Sequence, residues 1–314
     1  MRPIVPRNGS AISGELRQLT VVQLLPALDG GGVERGTLEI ASALVSNGHR
    51  SLVISGGGQL VRQLEANGSR HICWPIDRKS PLTLRWVGQL RQLLYRECAD
   101  ILHARSRMPA WVAYRAWRNM PPGRRPRFIT SIHGLYSVNP YSAVMTRGER
   151  IIAVSRHARD YVLNNYSGTD PGRITVIRRG VAPVPAGVQQ YPDRQWRDDW
   201  YREFPATQGR YLVTLPGRVT RRKGVLDFID IIGKLHAGGV PVHGLIVGDI
   251  PAGRSAAFSR GCRQRITGAG LGGSITLTGY RSDLREIMAV SSVVVSLSLY
   301  PEAYGRTVSE ALSL

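Results

Sequence analysis

At 314 residues the chain is too long for one typical domain, and two are expected. Its 42% hydrophobic content and mean hydropathy of −0.15 fit a soluble globular protein, and no run of eighteen apolar residues exists to form a spanning helix. Net charge is +20, and with only Lys79, Lys223 and Lys234 as lysines, 39 of the 42 basic residues are arginine.

Such a surface attracts phosphates, anionic lipids or nucleic acid. An arginine-favouring codon bias with solvated charges explains it equally well. No aromatic-spaced single-strand motif or finger spacing points to a specific nucleic acid. Cys73, Cys98 and Cys262 are far apart, show no metal spacing and fit a reducing compartment.

Met1–Glu15 lacks the long apolar core of a signal peptide, so 1–16 reads as a disordered leader. A first domain is expected over 17–185. Leu19–Leu25 is its first strand, Gly30-Gly31-Gly32 a turn, and Val33–Ser46 a helix closed by Asn47-Gly48. Ser51–Ser55, Ile101–Ala104, Phe128–Ile132, Ile151–Val154 and Thr175–Ile177 read as further strands. The arginine-rich stretch Arg115–Arg127 can lie against an anionic membrane surface.

The proline- and tryptophan-rich stretch Ala182–Pro205 breaks the pattern, and 186–206 reads as a connector. A second domain is expected over 207–314. It begins with strand Tyr211–Leu215, helix Gly224–Ala237, strand Gly244–Val247 and helix Arg254–Gly268. Strand Ser274–Leu277, helix Asp283–Val290, buried strand Val293–Leu297 and helix Ala303–Leu314 complete it. Alternating strands and amphipathic segments predict an α/β protein: two Rossmann-like, doubly wound parallel-sheet domains.

Several loops carry chemistry. Asp29-Gly30-Gly31-Gly32-Val33-Glu34 joins the first strand to the first helix, where glycines admit a ligand to the backbone. Arg35 stands where a dinucleotide fingerprint needs glycine, so a tight turn alone is the alternative. His133, in Ser131-Ile132-His133-Gly134, ends a strand and can be structural or ligand-facing. Ser155 follows the strand Ile151–Val154 and can cap the next helix.

In Pro216-Gly217-Arg218-Val219-Thr220-Arg221-Arg222-Lys223-Gly224, a forked guanidinium and an ammonium share one loop at a helix start. That combination suits a pyrophosphate. Gly248 lies in the strand-to-turn segment Leu245-Ile246-Val247-Gly248-Asp249. Tyr280 follows Leu277-Thr278-Gly279 and can stack on a base or pack in a turn. Glu302 and Glu310 stand eight positions apart, roughly 12 Å if helical. They suit one extended, hydroxyl-rich ligand, and two solvated helix acids are the alternative.

In order and spacing these segments resemble the retaining glycosyltransferases of family 4, which have two Rossmann-like domains in the GT-B arrangement. The resemblance covers residues 20–314. Arg218 and Lys223 match a GR-x4-KG motif and Glu302 and Glu310 an E-x7-E motif. It implies that Arg218, Lys223 and the Gly31-Gly32 turn bind the donor diphosphate. Glu302 would hold the donor sugar, and Glu310 the nucleotide ribose, two helical turns beyond it. His133 would lie close to the reacting sugar, with Gly248 and Tyr280 near the nucleotide.

Departures are Arg306 where an apolar residue is usual, and Arg178-Arg179 where the family has Pro-Asn. Ile250-Pro251 also replaces Gly-Pro. A further strand–helix pair is expected beyond Leu314, so the second domain reads as truncated.

The implied reaction is transfer of a sugar from a nucleotide-diphosphate sugar to a saccharide or lipid-linked acceptor, with retention. No metal or other cofactor is expected. The setting implied is cell-envelope polysaccharide or lipopolysaccharide synthesis in the cytoplasm, peripherally on the inner face of the plasma membrane. The alternatives are a nucleotide-sugar 2-epimerase of similar fold and an inactive, truncated protein that binds anions or membranes.

Overall fold

The computed structural model describes residues 17–78, 80–181, 191–250 and 254–314. The expected leader, residues 182–190 at the junction of the expected first domain and connector, and Pro251 lie outside the described residues. The chain divides into two compact units, Met1–Ile177 and Arg178–Leu314. Each is built on one sheet in which every strand pair is parallel.

In the first unit β1 (Thr20–Leu24), α1 (Gly32–Ser46), β2 (Arg50–Ser55), α2 (Val61–Ala66) and β3 (Arg70–Cys73) come first. Then follow α3 (Trp86–Arg96), β4 (Ile101–Ala104), α4 (Arg107–Arg118), β5 (Arg127–Ile132), β6 (Arg150–Ala153), α5 (Arg156–Asn165) and β7 (Ile174–Val176). The sheet order is β3-β2-β1-β4-β5-β6-β7, a doubly wound arrangement whose order reverses between β1 and β4.

All five residues of β1 are buried, as a strand covered on both faces requires. Leu38 and Ala41 of α1 pack on Leu25, Leu28, Val53 and Leu64. Asn47 caps α1, and Gly48 turns the chain with φ +75°. Arg115–Arg127 spans the end of α4, a turn and the start of β5.

The second unit contains α6 (Arg194–Glu203), β8 (Tyr211–Pro216), α7 (Val225–Ala237), β9 (Val242–Val247) and α8 (Arg254–Gly268). It continues with β10 (Ile275–Gly279), α9 (Leu284–Val290), β11 (Val293–Val294) and α10 (Arg306–Leu312). Its sheet runs β10-β9-β8-β11. Phe228, Ile229 and Ile232 of α7 pack on one face with Val213, Leu215 and Ile246. Burying a side chain such as Phe228 contributes roughly 1.5–3 kcal/mol.

Three expectations are corrected. The stretch expected as a connector contains α6, whose Trp200 packs on Leu212, Leu245, Val247 and Ile287. The indole of Trp196 donates to Asp283 at 3.0 Å, and Arg281 pairs with Glu203, so α6 belongs to this unit's core. Val293–Leu297, expected as a buried strand, pairs only over Val293–Val294 among the described residues, with Val293 50% exposed. The last helix begins at Arg306 rather than Ala303, because Gly305 adopts the left-handed conformation at its start. Glu310 therefore lies about one turn into α10, not two turns beyond Glu302.

Candidate functional site

In the second sheet the strand order reverses between β8 and β11, and a parallel sheet collects ligands outside the carboxyl ends of such strands. The loop after β8 carries Gly217 to Gly224, and the loop after β11 carries Leu297 to Gly305. Backbone contacts tie the two together. Leu299 N–H donates to the Arg222 carbonyl at 2.9 Å, and the exposed Arg222 guanidinium donates to the Pro301 carbonyl at 3.2 Å. Gly224 has φ +69°, and a Cβ there would collide with the Leu297 carbonyl, so only glycine lets the loops close to this distance.

That approach brings Lys223 Nζ to Glu302 Oε1 at 2.5 Å, with side chains 24% and 22% exposed. Ser298 Oγ donates to the same oxygen at 2.6 Å. Burial alone would raise the Glu302 carboxyl. Hydrogen bonds from Lys223 and Ser298, with the charges of Lys223 and Arg222, outweigh it and hold the carboxyl below the usual carboxylate range.

Arg218 lies exposed on the same loop, five residues before Lys223. Glu310 accepts from Arg306 Nε at 2.7 Å, one turn earlier on α10. Tyr304 donates its hydroxyl hydrogen to the Arg179 carbonyl, anchoring the loop ahead of α10 to the Arg178-Arg179 segment.

Gly248 and Tyr280 stand on neighbouring loops. A Cβ on Gly248 would collide with the Gly217 carbonyl, and its own N–H donates to the Gly279 carbonyl at 2.9 Å. This glycine therefore serves the packing of three loops, and its amide is committed within the protein. Tyr280 is exposed just past β10.

In the first unit Gly31 is the N-cap of α1 and Gly32 its first residue. The Glu34 carboxylate folds back against Gly31. His133 follows β5 at the carboxyl edge of the sheet and is half-buried. Ser155 caps α5, accepting from the Ala158 N–H at 3.0 Å. Gly31, Gly32 and His133 are thus set in one unit, and Arg218, Lys223, Gly248, Tyr280, Glu302 and Glu310 in the other.

Sequence reading missed Ser298, the Arg222–Pro301 contact and the pairing of Arg306 with Glu310. Ser298 had a signal: a hydroxyl just past an apolar run and four residues before Glu302. The Arg306–Glu310 spacing of four on a helix was also legible.

Comparison with known proteins bears on the family and the fold. Residues 30–184 match the family described as Glycosyltransferase Family 4, and residues 210–314 match Glycosyl transferases group 1. A glycosyltransferase crystal structure from Rickettsia africae ESF-5 is 30% identical, with a TM-score of 0.79 over 95% of this chain and 78% of that one. Anabaena Alr3699/HepE in complex with UDP-glucose shares the fold at 20% identity and TM-score 0.77, over 94% and 78%.

Alpha-maltose-1-phosphate synthase of Mycolicibacterium smegmatis strain ATCC 700084 / mc(2)155 is 31% identical over 108 residues. That match spans 33% of this chain and 27% of that protein. Two parallel α/β sheets, the two family matches in tandem and the Rickettsia neighbour lead to one conclusion: the chain belongs to the family 4 glycosyltransferases of the two-Rossmann GT-B type.

Proposed function

We propose that the protein moves a sugar from a nucleotide-diphosphate sugar to a saccharide or lipid-linked acceptor with retention at the anomeric carbon. The observation that carries this reading is the meeting of Lys223 with Glu302 at the strand-order reversal of the second sheet. A cation for a diphosphate and a carboxylate for sugar hydroxyls stand side by side there. The leaving nucleoside diphosphate gains negative charge in the transition state. Lys223 and Arg218 stabilise that charge, and a preorganised group of this kind is worth about 2.7–4 kcal/mol of barrier by analogy with oxyanion holes.

Glu302 is assigned to the sugar hydroxyls and Glu310 to the ribose. Gly248 and Tyr280 are assigned to the nucleotide, and Gly31 and Gly32 to the diphosphate. His133 is assigned to the reacting sugar. Arg218 and Lys223 on one loop support a transfer that uses no metal ion. UDP-glucose, the ligand in the HepE complex, is the first donor to test.

The acceptor is proposed to be a cell-envelope saccharide at the inner face of the plasma membrane. The outer face of α4 supports this, where Arg115 lies over Trp111 at 5.9 Å and Arg118 over Tyr114 at 5.8 Å. Rings and guanidinium groups together suit an anionic lipid surface.

The test is to incubate the chain with UDP-, GDP- and ADP-sugars and a cell-envelope saccharide extract. The readouts are nucleoside diphosphate release and the anomeric configuration of the product by NMR. Acceptor-dependent release with a retained configuration supports the reading. Conversion of the donor sugar without acceptor contradicts it.

A further inference from the structure

β4 and β5 are neighbours in the first sheet, and their carboxyl ends open onto two short segments. Arg105-Ser106 leads into α4, and the residues from His133 to Tyr141 follow β5. Arg107, the first residue of α4, reaches from one segment to the other. Its guanidinium carbon lies 5.1 Å from the ring centre of Tyr136 and 5.4 Å from that of Tyr141. One guanidinium nitrogen donates to Ser142 Oγ at 3.3 Å, and Ser142 is buried.

Among the described residues no carboxylate lies within ion-pair distance of Arg107, although it is half-buried. A cation partly withdrawn from water and met by one hydroxyl and two ring faces favours an anion.

The loop backbone has hydrogen bonds that do not involve Arg107. Tyr161 donates to the Tyr136 carbonyl at 2.6 Å, and Tyr166 to the Ser137 carbonyl at 3.2 Å. The Trp111 indole donates to the Tyr141 carbonyl at 2.9 Å, and Asn139 Oδ1 accepts from the Ser142 N–H at 2.9 Å. These bonds hold the backbone that carries both rings and the hydroxyl before any ligand arrives, which lowers the ordering cost of binding. A narrow recess lined by Ile132, Gly134, Tyr136, Ser142, Tyr161 and Tyr166 adjoins the group. His133 opens the same loop, three residues before Tyr136. Arg105, 2% exposed and donating to Gln23 Oε1 at 3.1 Å, adds positive charge at the same sheet edge.

We propose that Arg107, Tyr136, Tyr141 and Ser142 form an acceptor subsite that recognises a negatively charged saccharide. The charged group is a carboxylate or a phosphate ester, either of which presents two oxygens to the guanidinium fork. The tyrosine hydroxyls bond the sugar, and the buried Ser142 hydroxyl orients the guanidinium. The assignment rests on the reading of this chain as a sugar transferase.

The test uses saturation-transfer NMR on the intact chain with glucose, glucuronate, glucose 6-phosphate and inorganic phosphate as probes. The wild type is expected to bind at least one charged sugar about tenfold more tightly than glucose, and the tighter of the two identifies the group. Arg107→Gln should erase that preference, and Arg107→Lys should keep part of it. Should Arg107→Gln fail to fold, displacement of the charged sugar by inorganic phosphate on the wild type and on Arg107→Lys decides the matter.

Equal binding of glucose and the charged sugars overturns the proposal, as does a preference that survives Arg107→Gln. Phosphate binding as tightly as glucose 6-phosphate overturns the saccharide part. Nucleotide titration of the wild type reports separately on the parent reading, since no probe in this experiment contains a nucleotide.

Discussion

Lys223 and Glu302, 79 residues apart in sequence, meet at 2.5 Å where the loops after β8 and β11 converge. The ammonium assigned to a diphosphate is thus already neutralised by the carboxylate assigned to the sugar. A nucleoside diphosphate must compete with Glu302 for Lys223.

Glu302→Gln is therefore expected to tighten binding of a nucleoside diphosphate while impairing sugar transfer. Losing a partly buried competitor worth about 1 kcal/mol corresponds to roughly fivefold in Kd. Calorimetric titration with nucleoside diphosphate, paired with a turnover assay, checks both directions. A weaker Kd in this variant would show that Glu302 helps rather than hinders diphosphate binding.

Arg306 occupies Glu310, the carboxylate assigned to the ribose, in the same manner, with side chains 14% and 22% exposed. If the assignment of Glu310 to the ribose holds, Arg306→Leu frees the carboxylate for the ribose hydroxyls. Affinity for a ribonucleotide should rise about three- to fivefold, and affinity for its 2′-deoxy counterpart should rise less. Parallel titrations of the two nucleotides give the ratio. A ratio unchanged by the substitution would detach Glu310 from the ribose.

Gly224 is where the two loops touch. Ala at this position must adopt φ +69° and push against the Leu297 carbonyl. A loss of about 2–4 kcal/mol of stability is expected, with nucleotide binding weakened through displacement of Lys223. Denaturant unfolding of the variant measures the first effect and titration the second.

His103 is buried on β4, with Nε2 2.7 Å from Ser131 Oγ. Burial first, and then the charge of Arg105, push its pKa well below the ordinary histidine value. The folded state therefore keeps His103 neutral at pH values where the unfolded chain binds a proton. Stability from this residue is intact above about pH 6.5 and declines as pH falls below it. His103→Gln should flatten the decline in unfolding free energy between about pH 6.5 and 5. An equally steep decline in the variant would assign the acid sensitivity elsewhere, for example to His71, whose pKa burial also lowers.

Much of the fold was legible because parallel strands buried on both faces read as apolar runs. β4 was bounded correctly at Ile101–Ala104 and α8 at Arg254–Gly268. α6 was hidden because its polar face and nearby prolines resemble a linker, while the burial of Trp200 depends on β8 and β9, which are distant in sequence. α3 was passed over, although Leu90, Leu93 and Leu94 follow the i, i+3, i+4 rule.

At the site, the family resemblance singled out Lys223, Glu302 and Glu310 and marked Arg306 as a departure, but it did not show that Lys223 pairs with Glu302 or Arg306 with Glu310. Gly248 was read as a nucleotide contact, whereas its visible role is to let the Gly217 backbone approach.

Calorimetric titration of UDP, GDP, ADP and CDP into the wild type and Lys223→Ala bears most directly on the central claim. Saturable binding of one nucleotide, weakened at least about tenfold by Lys223→Ala, is the predicted result; tenfold corresponds to about 1.4 kcal/mol. Binding that survives Lys223→Ala unchanged, or no binding of any of the four to the wild type, would contradict it.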